Sequence, residues 1–255
     1  MIVYTCEDSF EAILTCIYDA WASGLGHRNL KLMVEPVGNL ELFCEYRHVD
    51  PDSTKVESVI RSIHKKISGY AYQMIFRCAM SCSSEKADII YRFLLLGFHY
   101  GRQITDMVQL PPVLALFELD RAVGNEAHYF REFIRFLNMR GNVLVAHIEP
   151  KSDVLTFLAP PFQDRMPSEN WMIIDDNRKS AVIHPSDQDF YLTTLTEEEF
   201  KRLKTLEDPD DPYIDLWKGF FETIAIKPRE NYRCQRSHIP LWYRKHATEF
   251  QNPLP

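Results

Sequence analysis

The sequence contains no apolar run long enough to cross a membrane. Spanning a bilayer takes roughly 20 consecutive apolar residues, and the most apolar stretch, RFLLLGFHYGR at 92–102, is bounded by arginines. The opening MIVYTCEDSFEAI has no basic region of the kind that begins a secretory signal, and it reaches Glu7 and Asp8 early. We therefore expect a cytoplasmic protein with no membrane partner.

Cysteine is scarce and scattered, with six residues in 255. Cys78 and Cys82 have a C-x3-C spacing, but no third cysteine follows at the distance that an iron–sulfur radical enzyme needs, and structural zinc usually takes four ligands. The chain also lacks a G-x-S-x-G elbow, a P-loop and a G-x-G-x-x-G turn after a strand. We expect reduced thiols, no metal and no cofactor.

The composition is that of an ordinary folded protein, with 45% hydrophobic and 25% charged residues. A chain of 255 residues is long enough for one large domain or two modest ones. We interpret 1–255 as a single α+β domain, and a division into a helical N-terminal lobe at 1–140 and a sheet-plus-helix C-terminal lobe at 141–255 stays open.

Apolar residues recur at helical spacing in four segments of the first half, at about 8–22, 55–67, 85–98 and 113–137. Asp8 and Glu11 have the capping-box spacing at the start of the first segment. Gly24 and Gly26 permit the positive φ that ends a helix. A short strand is predicted at 1–4, and Gly141 with Asn142 is expected to end the fourth helix.

The second half mixes short strands with helices. VLVAHIE at 143–149 is β-branched enough for a strand, and WMIIDDNRKSAVIH at 171–184 predicts a hairpin around an Asp-Asn turn. Helices are predicted at 196–206, capped by Thr196 with Glu199, and at 213–224, after the EDPDDP breaker at 207–212. The fold class is therefore α+β, mainly helical with a small antiparallel sheet, and its core is expected to contain Phe133, Trp171, Ile173 and Val182.

Charge is unevenly distributed toward the end of the chain. Residues 197–215 hold eight acidic and three basic side chains, whereas 227–246 hold six basic and one acidic, on a chain of net charge −7. Tyr232, Trp242 and Tyr243 are interleaved with the cations, so this segment could hold phosphates and stack bases. The alternative is a tail that folds back on the acidic helix and is structural.

The spacing within the tail predicts how it is anchored. Ser237 can cap a short helix with Pro240 in its first turn. We expect Trp242, His246 and Phe250 to form the side that packs on the protein. Arg244 then points away and stays available to a phosphate or a partner.

A second candidate surface lies on the helix through 121–135. Polar residues at i, i+4, i+7, i+11 and i+14 align along one face, and they are Arg121, Asn125, His128, Glu132 and Arg135. A solvated polar stripe is the alternative. Glu126 and Arg131 fall off this line, so the sequence offers no carboxylate–histidine pair as an acid and a base.

Four stretches together resemble a bacterial family of proteins assigned to DNA metabolism or repair, and the resemblance runs nearly end to end. They are NEAHYFREFIRF at 125–136, FQDRMPSENWMIIDDNRKSAVI at 162–183, LWKGFFETIAIKPREN at 216–231 and RCQRSHIPLWYRKHATEF at 233–250. The resemblance marks Glu126, Phe133, Arg135, Phe136, Arg165, Trp171, Asp175, Arg178, Gln235, Pro240, Trp242 and Tyr243. Where the family pattern has a His-Phe pair, this chain has Pro161-Phe162.

The resemblance implies an accessory role without independent catalysis. Such domains are fused to some uracil-DNA glycosylases, or are paired with a radical S-adenosylmethionine protein assigned to DNA repair, so DNA and that protein are the expected partners. Candidate binding residues are Glu126, Arg135, Arg165, Trp171, Asp175, Arg178, Arg233, Gln235, Arg236, Trp242, Tyr243 and Arg244. One alternative is a DNA hydrolase or base-modifying enzyme with Glu126, Arg135, Asp175 and Arg178 in one cleft. The other is an interaction scaffold that makes no nucleic-acid contact.

Overall fold

A helix of 23 residues, Pro111–Phe133, carries the chain from one compact unit into a second. The first unit is Met1–Gly124 and the second begins at Asn125. The computed structural model describes residues 1–38, 40–139, 143–205 and 212–250. The lobe boundary that the sequence left open, between 140 and 141, lies outside the described residues, as do Gly141 and Asn142.

The first unit contains a three-stranded parallel sheet. Strand β1 (Ile2–Cys6) is central, with β2 (Leu30–Val34) on one side and β3 (Glu45–His48) on the other. Helix α1 (Phe10–Ala22) is the crossover that parallel pairing of β1 and β2 requires. The sequence predicted only the first of these strands, and it did not predict this parallel sheet.

Three further helices pack with α1 around one apolar core. They are α2 (Ser53–Lys66), α3 (Gly69–Ala79) and α4 (Lys86–Tyr100). The helices predicted at 55–67 and 85–98 are confirmed, but α3 was not predicted. Ser68 begins α3 by accepting a hydrogen bond from the Ala71 amide at 3.0 Å. The long helix that follows is α5.

The ends of α1 follow local sequence rules, with a shift of one residue at the start. Ser9, and not Asp8, caps the helix by accepting a hydrogen bond from the Ala12 amide at 3.1 Å. Gly24 and Gly26 have φ values of 65° and 81°, as expected for glycines that end a helix.

The second unit is built on a five-stranded mixed sheet of order β4-β5-β6-β7-β8. Its strands are β4 (Leu137–Met139), β5 (Val143–Ile148), β6 (Trp171–Asp175), β7 (Ser180–His184) and β8 (Tyr191–Thr194). The strands predicted at 143–149 and 171–184 share this sheet, and the hairpin is antiparallel. However, β5 pairs with β6 in parallel, so the expected fully antiparallel sheet is wrong.

One helix packs on each face of this sheet. Helix α6 (Leu155–Arg165) contacts the face of Trp171, with the Phe162 and Trp171 rings 6.3 Å apart. Helix α7 (Glu197–Thr205) packs Phe200 and Leu203 on the other. Because α6 contains Pro160 and Pro161, its sequence disfavours a helix, and it was not predicted.

The predicted core of this unit is confirmed except at Phe133. Trp171, Ile173 and Val182 are fully buried, whereas Phe133 is half-buried at the last position of α5. The helix predicted at 113–137 thus ends early, because Leu137 already begins β4. The capping box at the start of α7 forms as predicted.

The C-terminal part of the described chain contains α8 (Pro212–Ile224), α9 (Tyr232–His238) and single 3-10 turns at Leu241–Arg244 and Thr248–Phe250. Asn231 caps α9, accepting from the Cys234 amide at 3.0 Å. The predicted Ser237 cap is wrong, because Ser237 lies within α9 and donates to the Cys234 carbonyl at 2.8 Å, and the turn at Leu241–Arg244 has no side-chain cap. Most of the 207–212 breaker lies outside the described residues. Among the helices described, none is long and apolar enough to cross a membrane.

Candidate functional site

The candidate site of the second unit lies where the two parallel strands end. Glu149 directly follows β5, and Asp176 directly follows β6. Ligands of sheets with parallel strands commonly bind beyond the carboxyl ends of those strands. The chain from 240 to 250 reaches the same place, since the Trp242 indole N–H donates to the Glu149 carbonyl at 2.9 Å.

The loop after β5 is fixed from two sides. Buried Glu126 of α5 accepts hydrogen bonds from the amides of Lys151 at 2.6 Å and Ser152 at 3.0 Å. Arg178, from the loop between β6 and β7, donates to the carbonyls of Pro150, at 3.2 Å, and Lys151. Glu126 and Arg178 thus act on backbone groups and position this loop.

Asp175 shapes the turn from which Arg178 projects. Its carboxylate has no solvent exposure and accepts from the amides of Asn177 at 2.9 Å and Arg178 at 3.1 Å, and from the Arg178 guanidinium at 2.9 Å. Burial raises the pKa of Asp175, and the Arg178 hydrogen bond offsets part of that effect. The carboxylate is enclosed by its own turn and supports the hairpin.

Arg135 does not join these residues in one cleft. It pairs with Glu249 at 2.6 Å, and its guanidinium carbon lies 5.2 Å from the centre of the Trp217 ring. Of the four residues expected in an enzyme cleft, Glu126 and Arg178 therefore meet at the loop after β5, and Asp175 holds Arg178 from its own turn, while Arg135 binds the tail.

Tyr243, and not Trp242, anchors the tail. The Tyr243 ring stacks on Tyr129 with centroids 4.8 Å apart and meets Phe130 edge-on at 4.9 Å. Burial, followed by the nearby Glu126 charge, raises the pKa of Tyr243 to about 12. Trp242 remains 47% exposed, so the prediction that it lies on the packed side is wrong.

Among the arginines of the tail, Arg244 makes contacts within the protein, whereas Arg233 and Arg236 are exposed. Arg244 donates to the Ile239 carbonyl at 2.8 Å and lies 4.5 Å over the Phe250 ring, so it does not point away from the protein as predicted. Burial, followed by the neighbouring Arg236 charge, lowers the pKa of Arg244. Arg233 and Arg236 are exposed on α9, with no ion pair among the residues that the structure describes.

The other residues that the resemblance singled out lie among packing contacts of the second unit. Trp171 is buried and stacks on His184 with planes 6° apart. Arg165 is exposed, 5.2 Å over the Phe162 ring. Phe162, at the position of the family's His-Phe pair, is buried against Trp171, and Gln235 of α9 is half-buried.

The polar stripe along α5 is solvated. Four of its five residues are exposed, and they are Arg121, Asn125, His128 and Glu132. His128 contacts its helical neighbours Arg131, at 2.8 Å, and Glu132, at 4.0 Å. The fifth residue, Arg135, lies beyond the end of the helix, so the predicted alignment stops before it.

A carboxylate–histidine cluster at the strand ends was not predicted. It consists of His147, Glu149, Asp176 and His246. His147 Nδ1 is 2.6 Å from Asp176 Oδ1, and His246 Nε2 is 3.1 Å from Glu149 Oε1. Glu149, Asp176 and His246 each offer one ligand atom within 4.8 Å of the others. The sequence signal was a histidine and a glutamate flanking a strand end, which only the fold connects to His246.

Glu149 is the most connected member of the cluster. Burial alone would raise its pKa, but hydrogen bonds from Lys245 and His246 outweigh burial, so the pKa of Glu149 is lowered. Lys245 is exposed and pairs with Glu149 through its ammonium. Ion pairs of the cluster thus connect the loop after β5 to the tail.

The second unit thus has a polar cluster at the ends of its parallel strands, in a chain whose fold is mainly helical α+β. The sequence matches the family model described as a domain of unknown function, DUF4130, over residues 84–249. That match covers more than half of the chain, so the chain belongs to this family. A search among curated proteins finds no significant match.

Proposed function

We propose that the protein is an accessory protein of DNA metabolism or repair that binds DNA or presents it to a partner enzyme. The observation that carries this proposal is the tail surface, defined as Lys151, Arg233, Arg236 and Trp242. Arg233 and Arg236 are exposed, and the Lys151 ammonium lies 5.4 Å over the half-exposed Trp242 ring.

The chemistry of the tail surface suits a single-stranded nucleic acid. Cations neutralise backbone phosphates, and an aromatic ring stacks a base of any identity. Trp242 is held by its hydrogen bond to the Glu149 carbonyl, so its ring is oriented before a base arrives and less entropy is lost on binding. Since the net charge of the chain is −7, binding depends on these exposed cations and not on the charge of the whole chain.

The identity of the partner is the more specific part of the proposal. The resemblance to DNA-repair proteins supports a radical S-adenosylmethionine protein, or a uracil-DNA glycosylase, acting in the cytoplasm. Helix α8 supports a protein partner, because Leu216, Phe220 and Ile224 recur at i, i+4 and i+8 and are all more than half exposed. This apolar line equally favours a second candidate, an interaction scaffold that never contacts DNA.

Binding of labelled single-stranded and duplex oligonucleotides, followed by fluorescence anisotropy across a salt series, tests the proposal. Replacing Arg233 and Arg236 by Gln is expected to weaken binding and to reduce the slope of log affinity against log salt by about 0.7 to 0.9 per lost phosphate contact. The matched control replaces Arg61 and Arg102, exposed arginines of the first unit, by Gln. Equal affinities and slopes for both variants would exclude the tail surface.

Co-purification with the radical S-adenosylmethionine protein separates the two candidates. Replacing Leu216 and Phe220 by Ser is expected to release the partner without changing DNA affinity. A wild-type protein that holds the partner but binds neither oligonucleotide would identify a scaffold.

A further inference from the structure

We propose that Glu149, Asp176 and His246 bind one divalent transition-metal ion, of which Zn²⁺ and Mn²⁺ fit the donors best. The three residues come from the end of β5, the end of β6 and the tail, and their ligand atoms lie within 4.8 Å of one another. Nothing in the proposed binding of DNA requires this ion.

The donor set selects the class of metal. Two carboxylates and one imidazole match borderline cations, whereas Ca²⁺ and Mg²⁺ prefer oxygen ligands alone. Three protein ligands also leave a coordination position open for water or a further ligand, as in catalytic rather than structural sites.

The spacing of the donors is close to that of a bound state. Glu149 Oε1 and His246 Nε2 are 3.1 Å apart, a little less than the roughly 3.3 to 3.6 Å that separates two atoms at 2.0 to 2.2 Å from one tetrahedral zinc. Asp176 offers the third ligand atom, within 4.8 Å of the other two.

His147 is placed as a positioning residue for Asp176. Its Nδ1 lies 2.6 Å from Asp176 Oδ1, and its side chain is almost fully buried on β5. Residues in this outer position hold a metal ligand in one orientation. The strand thus fixes Asp176 before any ion binds.

Charge balance also favours a cation at this place. The side chain of Glu149 is 19% exposed, and a carboxylate with so little water needs a positive partner. Lys245 supplies one to Glu149 but is itself 61% exposed. We expect the Lys245 side chain to leave Glu149 when the metal binds.

Titration calorimetry of the metal-stripped full-length protein with Zn²⁺, together with the visible absorption of bound Co²⁺, tests the inference. We expect one ion per chain. Asp176→Asn and His246→Gln should each lower Zn²⁺ affinity by at least about 10- to 100-fold, the loss that even an outer-shell change causes. His128→Gln is the matched control, because His128 is exposed in the same unit beside Glu132, and its affinity should equal that of the wild type.

Lys245→Ala provides a test in the opposite direction. Removing the ammonium that competes for Glu149 should tighten Zn²⁺ binding, and this exposed position should not affect folding. Circular dichroism checks that each variant is folded. If Asp176→Asn or His246→Gln fails to fold, Lys245→Ala decides, and an unchanged affinity there overturns the site. So does a wild type that binds no Zn²⁺, or folded ligand variants that bind it as the control does.

Discussion

Tyr243 and Tyr129 stack with their ring centroids 4.8 Å apart and their planes 25° from parallel. The contact connects the tail to α5, and Phe130 completes it from the edge. The preceding residue, Trp242, keeps 47% of its surface exposed. Two consecutive aromatic residues therefore have different roles, one in anchoring and one in presenting a ring to solvent.

Tyr243→Ala is expected to lower the free energy of unfolding by about 2 to 3 kcal/mol, because it removes a packed ring and its aromatic contacts. Trp242→Ala should cost about 1 kcal/mol, the worth of one net hydrogen bond. Urea denaturation of the two variants gives the comparison. A larger loss for Trp242 would contradict the assignment of Tyr243 as the anchor.

Glu126→Ala should destabilise the loop after β5. The change leaves the amides of Lys151 and Ser152 without the carboxylate that they now share. Ser152 is buried, and an unsatisfied buried donor costs about 1 to 3 kcal/mol. Faster hydrogen exchange at these two amides should accompany the lower free energy of unfolding.

The control for Glu126 lies on the same helix. Glu118 is exposed on α5, so Glu118→Ala changes the same residue type at similar helix propensity and should leave both measurements unchanged. Equal effects of the two substitutions would show that charge or helix propensity, and not the loop contact, is responsible.

The Arg135–Glu249 pair predicts that the stability of the protein depends on pH in the acid range. Burial alone would raise the pKa of Glu249, but Arg135 outweighs it and the pKa is lowered from the ordinary 4.5. Because the pKa is lower in the folded state, the pair stabilises the protein at pH values above the unfolded-state pKa of Glu249. This stability is lost as the pH falls from about 4.5 through the folded-state pKa.

Arg135→Gln should reverse that dependence. The Glu249 side chain is only 3% exposed, so without Arg135 burial dominates and the variant should gain stability on acidification. Breaking a buried pair costs about 3 kcal/mol or more at neutral pH. Urea denaturation across the acid range, with Glu249→Gln as the second variant, measures both effects. Parallel pH profiles for wild type and Arg135→Gln would refute the role of the pair.

Local signals in the sequence predicted local structure well. Thr196 and Glu199 form the expected capping box, with the Glu199 amide 3.2 Å from Thr196 Oγ1, because both partners lie within one helical turn. The hairpin at 171–184 was also predicted correctly, because its two strands are close in sequence. Helix α6 was missed because Pro160 and Pro161 oppose a helix that its buried side chains stabilise against the sheet.

Contacts between distant segments could not be predicted. Glu149 and His246 are 97 residues apart, and Arg135 and Glu249 are 114 apart. Only the parallel pairing of β5 with β6 and the return of the tail bring such residues together, and neither has a signature in the local pattern. The candidate site residues that meet at the loop after β5 were identified by resemblance, whereas their roles depend on the fold.

Trp242 tests the proposed binding of a nucleic acid at the tail surface. Stacking of a base on an exposed aromatic ring is worth about 1 to 3 kcal/mol by alanine substitution, so Trp242→Ala should weaken binding of a single-stranded oligonucleotide by that amount. Trp242→Phe should retain part of the affinity, since it keeps a ring but loses the hydrogen bond to Glu149.

The matched control is Trp21→Ala, since Trp21 is 39% exposed in the first unit and is expected to leave DNA affinity unchanged. The salt slope gives a second criterion. Stacking involves no phosphate, so Trp242→Ala should lower affinity at every salt concentration and keep the wild-type slope, whereas the Arg233 and Arg236 substitutions should change the slope. A Trp242→Ala protein that binds single strands as tightly as the wild type would limit the tail surface to phosphate contacts and disprove stacking.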